Sequence, residues 1–275
     1  MKLINIGCGR SFHKDWVNID LVSSCPEVRQ HDIRKNLPYP DAEFDACYTS
    51  HVLEHLRPQE AERLIAECRR VLKPQGIIRV VVPDLETIAR EYLNVLEKVA
   101  AGERELEDNY DWMMLELYDQ TVRSFSGGEM GRFLLKSNLA NKEFIISRIG
   151  SEAENYWLNQ TNQKSVWEKI SNIKPSWLLE KTRNLILKSL VSMIAGNEAK
   201  QAFEEGLFRN SGEIHRYMYD RFSLRRLLEQ SGFTNAYACS PYESRIANFS
   251  DYNLDVLNGK TRKPDSLFVE AIKLL

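Results

Sequence analysis

No stretch of these 275 residues approaches the roughly 18 consecutive apolar side chains that a membrane-spanning helix requires. The chain also lacks a charge excess: 37 basic side chains stand against 39 acidic ones, for a formal charge of -2. That balance excludes a global field for holding nucleic acid or an anionic membrane and leaves open only a local patch. No C-x-x-C pair occurs among Cys8, Cys25, Cys47, Cys68 and Cys239, so neither a zinc site nor a disulfide framework is expected. An odd number of scattered cysteines fits reduced, packed thiols in a reducing cytosol. Met1-Lys2 leads straight into Leu3 with no signal peptide between, and the reading is a soluble, cytoplasmic protein. Internal repeats and low-complexity tracts are absent, and no His/Asp cluster has the spacing of a metal-dependent site.

What is present at the start is Leu3-Ile4-Asn5-Ile6-Gly7-Cys8-Gly9-Arg10, a short apolar run that stops at Gly-x-Gly. Such a run reads as a buried strand whose end turns sharply or admits a ligand to the backbone. The bland alternative is an ordinary strand-to-loop turn. Asp20 ends the next apolar run, Trp16–Asp20, where a carboxylate can take the hydroxyls of a ribose. Gln30-His31-Asp32-Ile33 ends a third run in another acid, suited to an adenine amino group across the same crevice. Phe44–Tyr48 and Ile77–Val82 extend the series, and Ala61, Leu64, Ile65, Cys68, Val71 and Leu72 recur at helical spacing between them, behind Pro58. This alternation predicts an α/β fold with a parallel sheet. Only six residues separate Gly9 from Trp16, too few for a first crossover helix.

From Leu85 onward the pattern becomes helical and aromatic. Ile88, Tyr92, Val95 and Val99 make one face, and Trp112, Met113 and Leu117 crowd another, a pattern that favours core packing over a ligand box. Ser126–Gly131 reads as a mobile loop, and Asn184–Ala195 as a buried helix. Near the end, Phe222–Gln230 predicts a short helix, and Asn235–Cys239 with Ser266–Ile272 suits an antiparallel hairpin at the sheet edge.

Two further segments make the order of motifs specific. Leu37-Pro38-Tyr39-Pro40-Asp41-Ala42-Glu43-Phe44-Asp45 is followed by Ser50-His51-Val52-Leu53-Glu54-His55, then by Glu67-Cys68-Arg69-Arg70-Val71-Leu72-Lys73-Pro74-Gln75-Gly76. The succession resembles the class I S-adenosylmethionine-dependent methyltransferases over residues 2–84 and 213–275. The resemblance implies a Rossmann-like seven-stranded sheet with its last strand antiparallel. It also implies S-adenosylmethionine lying over Gly7 and Gly9, with Asp20 and Leu21 at the ribose, Asp32 and Ile33 at the adenine, and Ser50 near the methionine end. Chemically this is coherent, because a sulfonium is already electrophilic and the protein must mainly align an acceptor and exclude water. The departure from the family is the shortened first crossover.

The expected organisation is a cofactor-binding core of 1–84 and 213–275 and a helical insert of 85–212, acting as a lid, an acceptor-binding lobe or a dimerisation lobe. His51, at the end of the fourth strand, and His215, where the insert rejoins the core, are candidates for the base, each also readable as a structural histidine; Asp84 is a third acceptor contact. Trp112, Tyr118, Tyr156, Trp157, Trp167 and Trp177 could stack on sugar faces or hold the lobe together. The predicted activity is O-methylation of a small molecule or saccharide, with no metal and no nucleic-acid partner, and a homodimer through the insert as an option. Two rivals stand beside it. A dinucleotide dehydrogenase would need Gly where Phe12 stands, and a cofactor-binding subunit without catalysis keeps the same motifs.

Overall fold

The computed structural model describes residues 1–23, 25–161 and 175–274. β1 (Leu3–Ile6), β2 (Val17–Asp20), β3 (Val28–Gln30), β4 (Phe44–Ser50) and β5 (Leu72–Pro83) are parallel. β6 (Phe233–Cys239) and β9 (Ser266–Lys273) complete a seven-stranded sheet in the order β3-β2-β1-β4-β5-β9-β6. β9 runs antiparallel to both neighbours, pairing Val80 with Val269 on one side and Ala238 with Val269 on the other. The late strand pair is therefore antiparallel as expected, but β9 is inserted between β5 and β6 and does not form the edge. A 26-residue excursion joins the two strands, carrying a small separate ribbon of β7 (Val256–Leu257) and β8 (Lys260–Thr261). The fold is the Rossmann-like α/β sheet with a helical insertion that the sequence predicts.

α1 (Pro58–Val71) forms because Pro58 sits in the first turn and Glu60 accepts a hydrogen bond from the Arg57 amide at 2.9 Å. Its apolar stripe of Ala61, Leu64, Ile65, Cys68 and Val71 is buried against one face of the sheet, each large side chain contributing about 2 kcal/mol. Helix α8 (Arg221–Gln230) covers the same face through Leu224, Leu227 and Leu228. No helix occupies residues 7–16, so the shortened crossover is real. Aromatic packing from the β6–β9 excursion covers that end of the other face: Trp16 meets Phe249 and Tyr252 edge-on at 6.2 and 5.2 Å, and Tyr48 and Phe268 join them.

Two charged groups are buried within the strands, Arg79 in β5 and Glu270 in β9. Arg79, in the middle of β5, donates to Asp255 at 2.7 Å and Glu270 at 2.7 Å, while the Tyr48 hydroxyl donates to Asp255 at 2.6 Å. The excursion is thereby locked onto the sheet by a fully paired ion network.

Between β5 and α8 come α2 (Leu85–Ala100), α3 (Glu107–Val122), α4 (Gly128–Leu134), α5 (Lys142–Ile149), α6 (Ser151–Thr161) and α7 (Pro175–Arg209). A second core of Ile88, Val95, Trp112, Met113, Phe133 and Ile145 holds the first of these together, so the aromatic stripe is packing as expected. The helices leave and return at one place: the Leu85 amide donates to the Tyr219 carbonyl at 2.9 Å, and Asp84 bridges to Tyr219.

Two readings of this region are corrected. Ser126–Gly131 is not a free loop, because Asp119 accepts from the Glu129 amide at 2.9 Å and Glu213 from the Gly127 amide at 2.8 Å, starting α4. Asn184–Ala195 is exposed, not buried: Met193 is 80% and Ile194 83% accessible. α7 reverses at Gly196, whose φ is +85°. Lys188 consequently lies 3.2 Å from Glu204, a pair that one straight helix would hold about 24 Å apart. Trp167 lies outside the described residues.

Candidate functional site

The cleft begins where β1 ends. Gly7 takes φ +70° and its amide donates to the Ile19 carbonyl at 2.9 Å, joining the turn to β2. A Cβ on Gly7 would stand 2.2 Å from the Val52 side chain, so only glycine fits. Gly9, at φ +53°, has no atom within 4 Å of where its Cβ would be, and its amide donates to Asp20 Oδ2 at 2.8 Å. The other Asp20 oxygen accepts from the Val22 amide at 3.1 Å. Asp20 thus clamps the glycine turn while each oxygen keeps a lone pair toward the cleft.

Gly7, Gly9, Asp20, Leu21, Asp32 and Ile33 line one cavity of about 500 Å³. Ser50 does not line it. Two residues from Tyr48 along β4, Ser50 shares that residue's face of the strand, and the chain reaches the cleft only at the next position. That position is His51, which adopts φ +54°, a left-handed conformation uncommon outside glycine. Asp32 is gripped by Arg34, whose guanidinium donates to both carboxylate oxygens at 2.9 Å, and that hydrogen bonding holds its carboxyl below the usual range. Arg34, Glu60, Asn210, Ser211, Gly212 and Arg216 complete the cavity wall. Sequence reasoning assigned none of these six a contact; Arg34 stands two residues past a strand-end acid, and Gly212 and Arg216 flank His215 in the segment where the insert rejoins the core.

A second cavity, of about 450 Å³, lies behind His51 and His55, which line both. Its other walls come from distant segments, among them Gln120, Arg123, Tyr156, Glu213, His215 and Lys263. His215 is thus brought to the same place as His51. Asp84 is not: it caps α2 by accepting from the Glu86 amide at 3.1 Å and from the Thr87 hydroxyl.

At the junction sits Glu54, fully buried in a short 3-10 turn, Leu53–His55. His51 Nδ1 stands 3.2 Å from Glu54 Oε1, and His51 Nε2 is 2.8 Å from the Ser266 hydroxyl. Burial pushes the Glu54 carboxyl up, but His51, then His55 and His215, bring it down to about 2. His215 goes the other way. Burial lowers it to about 3 despite Glu54, with His55, His51 and Arg123 adding to the depression, so it is neutral at physiological pH. Its ring meets His55 edge-on at 4.8 Å. Cys8, between the two glycines, is raised to about 12 by burial and by Asp20.

The cleft fits a nucleoside: two strand-end carboxylates, an open glycine and about 500 Å³ of space at the carboxyl edge of a parallel sheet. A family described as a methyltransferase domain matches residues 5–80. Among solved structures, the [4+2]-cyclase SpnF is similar at 25% identity, over 30% of this chain and 38% of that one, with a TM-score of 0.25. An S-adenosylmethionine dependent methyltransferase from Mesorhizobium loti is 20% identical over 32% of this chain and 49% of its own, with a TM-score of 0.26. The chain thus spans less than half of either structure's length. A SAM dependent methyltransferase from Archaeoglobus fulgidus is 13% identical, covering 99% of this chain and 86% of that one, with a TM-score of 0.39. Residues 5–80 are thus similar to a methyltransferase domain, and S-adenosylmethionine is the cofactor that this similarity indicates.

Proposed function

We propose that the whole chain is an S-adenosylmethionine-dependent methyltransferase that methylates an oxygen of a small molecule or saccharide. One observation carries this reading: the two cavities share His51 and His55 as a common wall, so a cofactor in the first and an acceptor in the second meet there. When bound, S-adenosylmethionine supplies an electrophilic methyl carbon. Asp20 takes the ribose hydroxyls, Asp32 and the Ile33 amide hold the adenine edge, and Gly7 and Gly9 let the ligand approach the backbone.

The second cavity favours a hydroxyl-rich acceptor, since Gln120, Arg123, Glu213 and Lys263 offer donors and acceptors of both signs and Tyr156 a ring. Of the two histidines expected to act on the acceptor, His51 stands at the junction and His215 lies behind it. His51 Nε2, which bonds the Ser266 hydroxyl at 2.8 Å, gives up that partner to take the hydrogen bond of the acceptor hydroxyl and align its oxygen, and the proton leaves along that bond to Nε2 as the methyl arrives. In this reading residues 85–212 form the acceptor-binding lobe, which also offers a surface for a second copy of the chain. Five free thiols support a cytoplasmic location. No helix among the described residues is long and apolar enough to cross a membrane.

Calorimetry with S-adenosylhomocysteine tests the cofactor half: binding by the intact chain, weakened about 10-fold or more in Asp20→Ala, is expected, and equal affinity would remove Asp20 from the ribose. Transfer of labelled methyl to a panel of hydroxylated acceptors tests the rest. Binding with no transfer to any acceptor would instead identify a catalytically silent partner subunit.

A further inference from the structure

We propose that Glu54, His55 and His215 form a binding site for a divalent cation of the zinc class, set in the wall of the second cavity. The sequence places Glu54 and His55 side by side and His215 160 residues away, so no ligand spacing announces the site. The fold assembles it: one ligand atom from each residue lies within 4.8 Å of the other two. The amides of Arg216 and Tyr217 donate to the Glu54 carbonyl, and the His215 amide to the Gln120 carbonyl at 2.8 Å, which fixes the returning segment against the turn.

The polar atoms of this cluster lack the partners that buried groups ordinarily have. Neither carboxylate oxygen of the fully buried Glu54 completes a hydrogen bond, and the nearest nitrogen, His51 Nδ1, stands 3.2 Å from Oε1. His215, only 5% exposed, has an unpartnered Nδ1. In His55, Nδ1 is 3.2 Å from the Ile214 carbonyl, which can only accept, so Nδ1 carries a hydrogen and Nε2 is the ring atom left on the Glu54 side, 4.0 Å from Oε1. That separation is too long for a direct hydrogen bond and leaves room for an ion between the two. A backbone carbonyl holding the far imidazole nitrogen is also the arrangement that fixes the tautomer of a metal-ligating histidine.

The donor set selects the ion. Two imidazoles and one carboxylate suit zinc and its neighbours; magnesium and calcium favour all-oxygen sets, and no thiolate is present for softer ions. Three protein ligands leave a fourth position, as in catalytic rather than structural zinc sites. Since His55 and His215 line the second cavity, that position opens toward it. Tetrahedral donors about 2.1 Å from zinc lie roughly 3.4 Å apart, so side-chain rotation must close the triangle by about 1 Å on binding. The role of the ion rests on the proposed function: it would hold and polarise the acceptor hydroxyl beside His51. Its presence does not rest on that reading.

The full chain, stripped by a chelator and then freed of it, is titrated with zinc chloride by calorimetry and with cobalt chloride by visible absorption. One ion per chain is expected, with the strong absorption of a four-coordinate cobalt site. Glu54→Gln and His215→Ala should each weaken zinc at least ~10-fold while S-adenosylhomocysteine binding, made by other residues, persists as proof of folding. Absence of stoichiometric binding, or affinity unaltered in both variants, overturns the site. Intact metal binding with no methyl transfer would instead defeat the proposed function alone.

Discussion

The two cavities that meet at His51 are built in opposite ways. The floor of the first cleft takes Gly7, Gly9, Asp20, Asp32 and Arg34 from under thirty consecutive residues, with backbone amides holding its carboxylates, and only its outer wall comes from afar, at Asn210–Gly212 and Arg216. The second cavity gathers side chains from His51 to Asp265, and its wall is held by side-chain ion pairs: Arg123 with Asp119 behind it at 3.0 Å, and Arg123 with Glu213 at 3.5 Å. A cleft made of strand ends is fixed as soon as the sheet forms. A cavity made between a sheet and an insert is only as firm as the insert.

The largest effect should therefore come from the insert's centre. Trp112 is fully buried and its Nε1 donates to Glu116 at 2.9 Å, which in turn pairs with Arg148. Trp112→Ala should cost about 3–5 kcal/mol in urea unfolding and reduce methyl transfer more than cofactor affinity. Equal losses of both would show that the two cavities share one stability. Next, Gly7→Ala should lose about 2 kcal/mol of S-adenosylhomocysteine affinity, roughly 30-fold, because a Cβ there meets Val52 with φ at +70°. An unchanged isotherm would mean the turn can relax. His51→Ala should lower kcat at least ~10-fold with a smaller change in cofactor affinity, and the reverse pattern would place it in the cofactor cleft alone. The smallest signal is chemical. A thiol raised to about 12 stays neutral across pH 6–9, so Cys8 should resist iodoacetamide over that range, and rapid labelling at pH 8 by mass spectrometry would show the glycine turn to be open.

The same contrast governs what could be read from the residues alone. The Gly-x-Gly turn, Asp20, Asp32 and α1 were legible because each depends on neighbours within one or two turns of chain. Asp119 ordering Gly127–Met130 and Glu213 reaching the Gly127 amide are tertiary events with no local trace, so that segment reads as a loop. The apolar run Leu185–Leu190 reads as buried, since periodicity reports which side chains favour cover and not whether a partner is there. Ser50 illustrates a finer limit. Strand alternation turns it away from the cleft, and a left-handed residue at position 51 redirects the chain, a detail invisible until φ is known. Glu54 gave one hint, a carboxylate inside Val52-Leu53-Glu54-His55-Leu56, and such a charge demands partners that only the folded chain supplies.

The loop that replaces the first crossover helix has an electrostatic consequence. In nucleotide-binding sheets that helix aims its N-terminus at the ligand and presents the equivalent of about half a positive charge to a pyrophosphate. Residues 7–16 present no helix axis at all. A dinucleotide would find no dipole for its phosphates here, whereas a ligand carrying a positive sulfur meets no repulsion. What the shortened segment removes is a helix-borne preference for anions, and the cleft keeps carboxylates and guanidiniums in balance, Asp20, Asp32 and Glu60 against Arg34, Arg57 and Arg216.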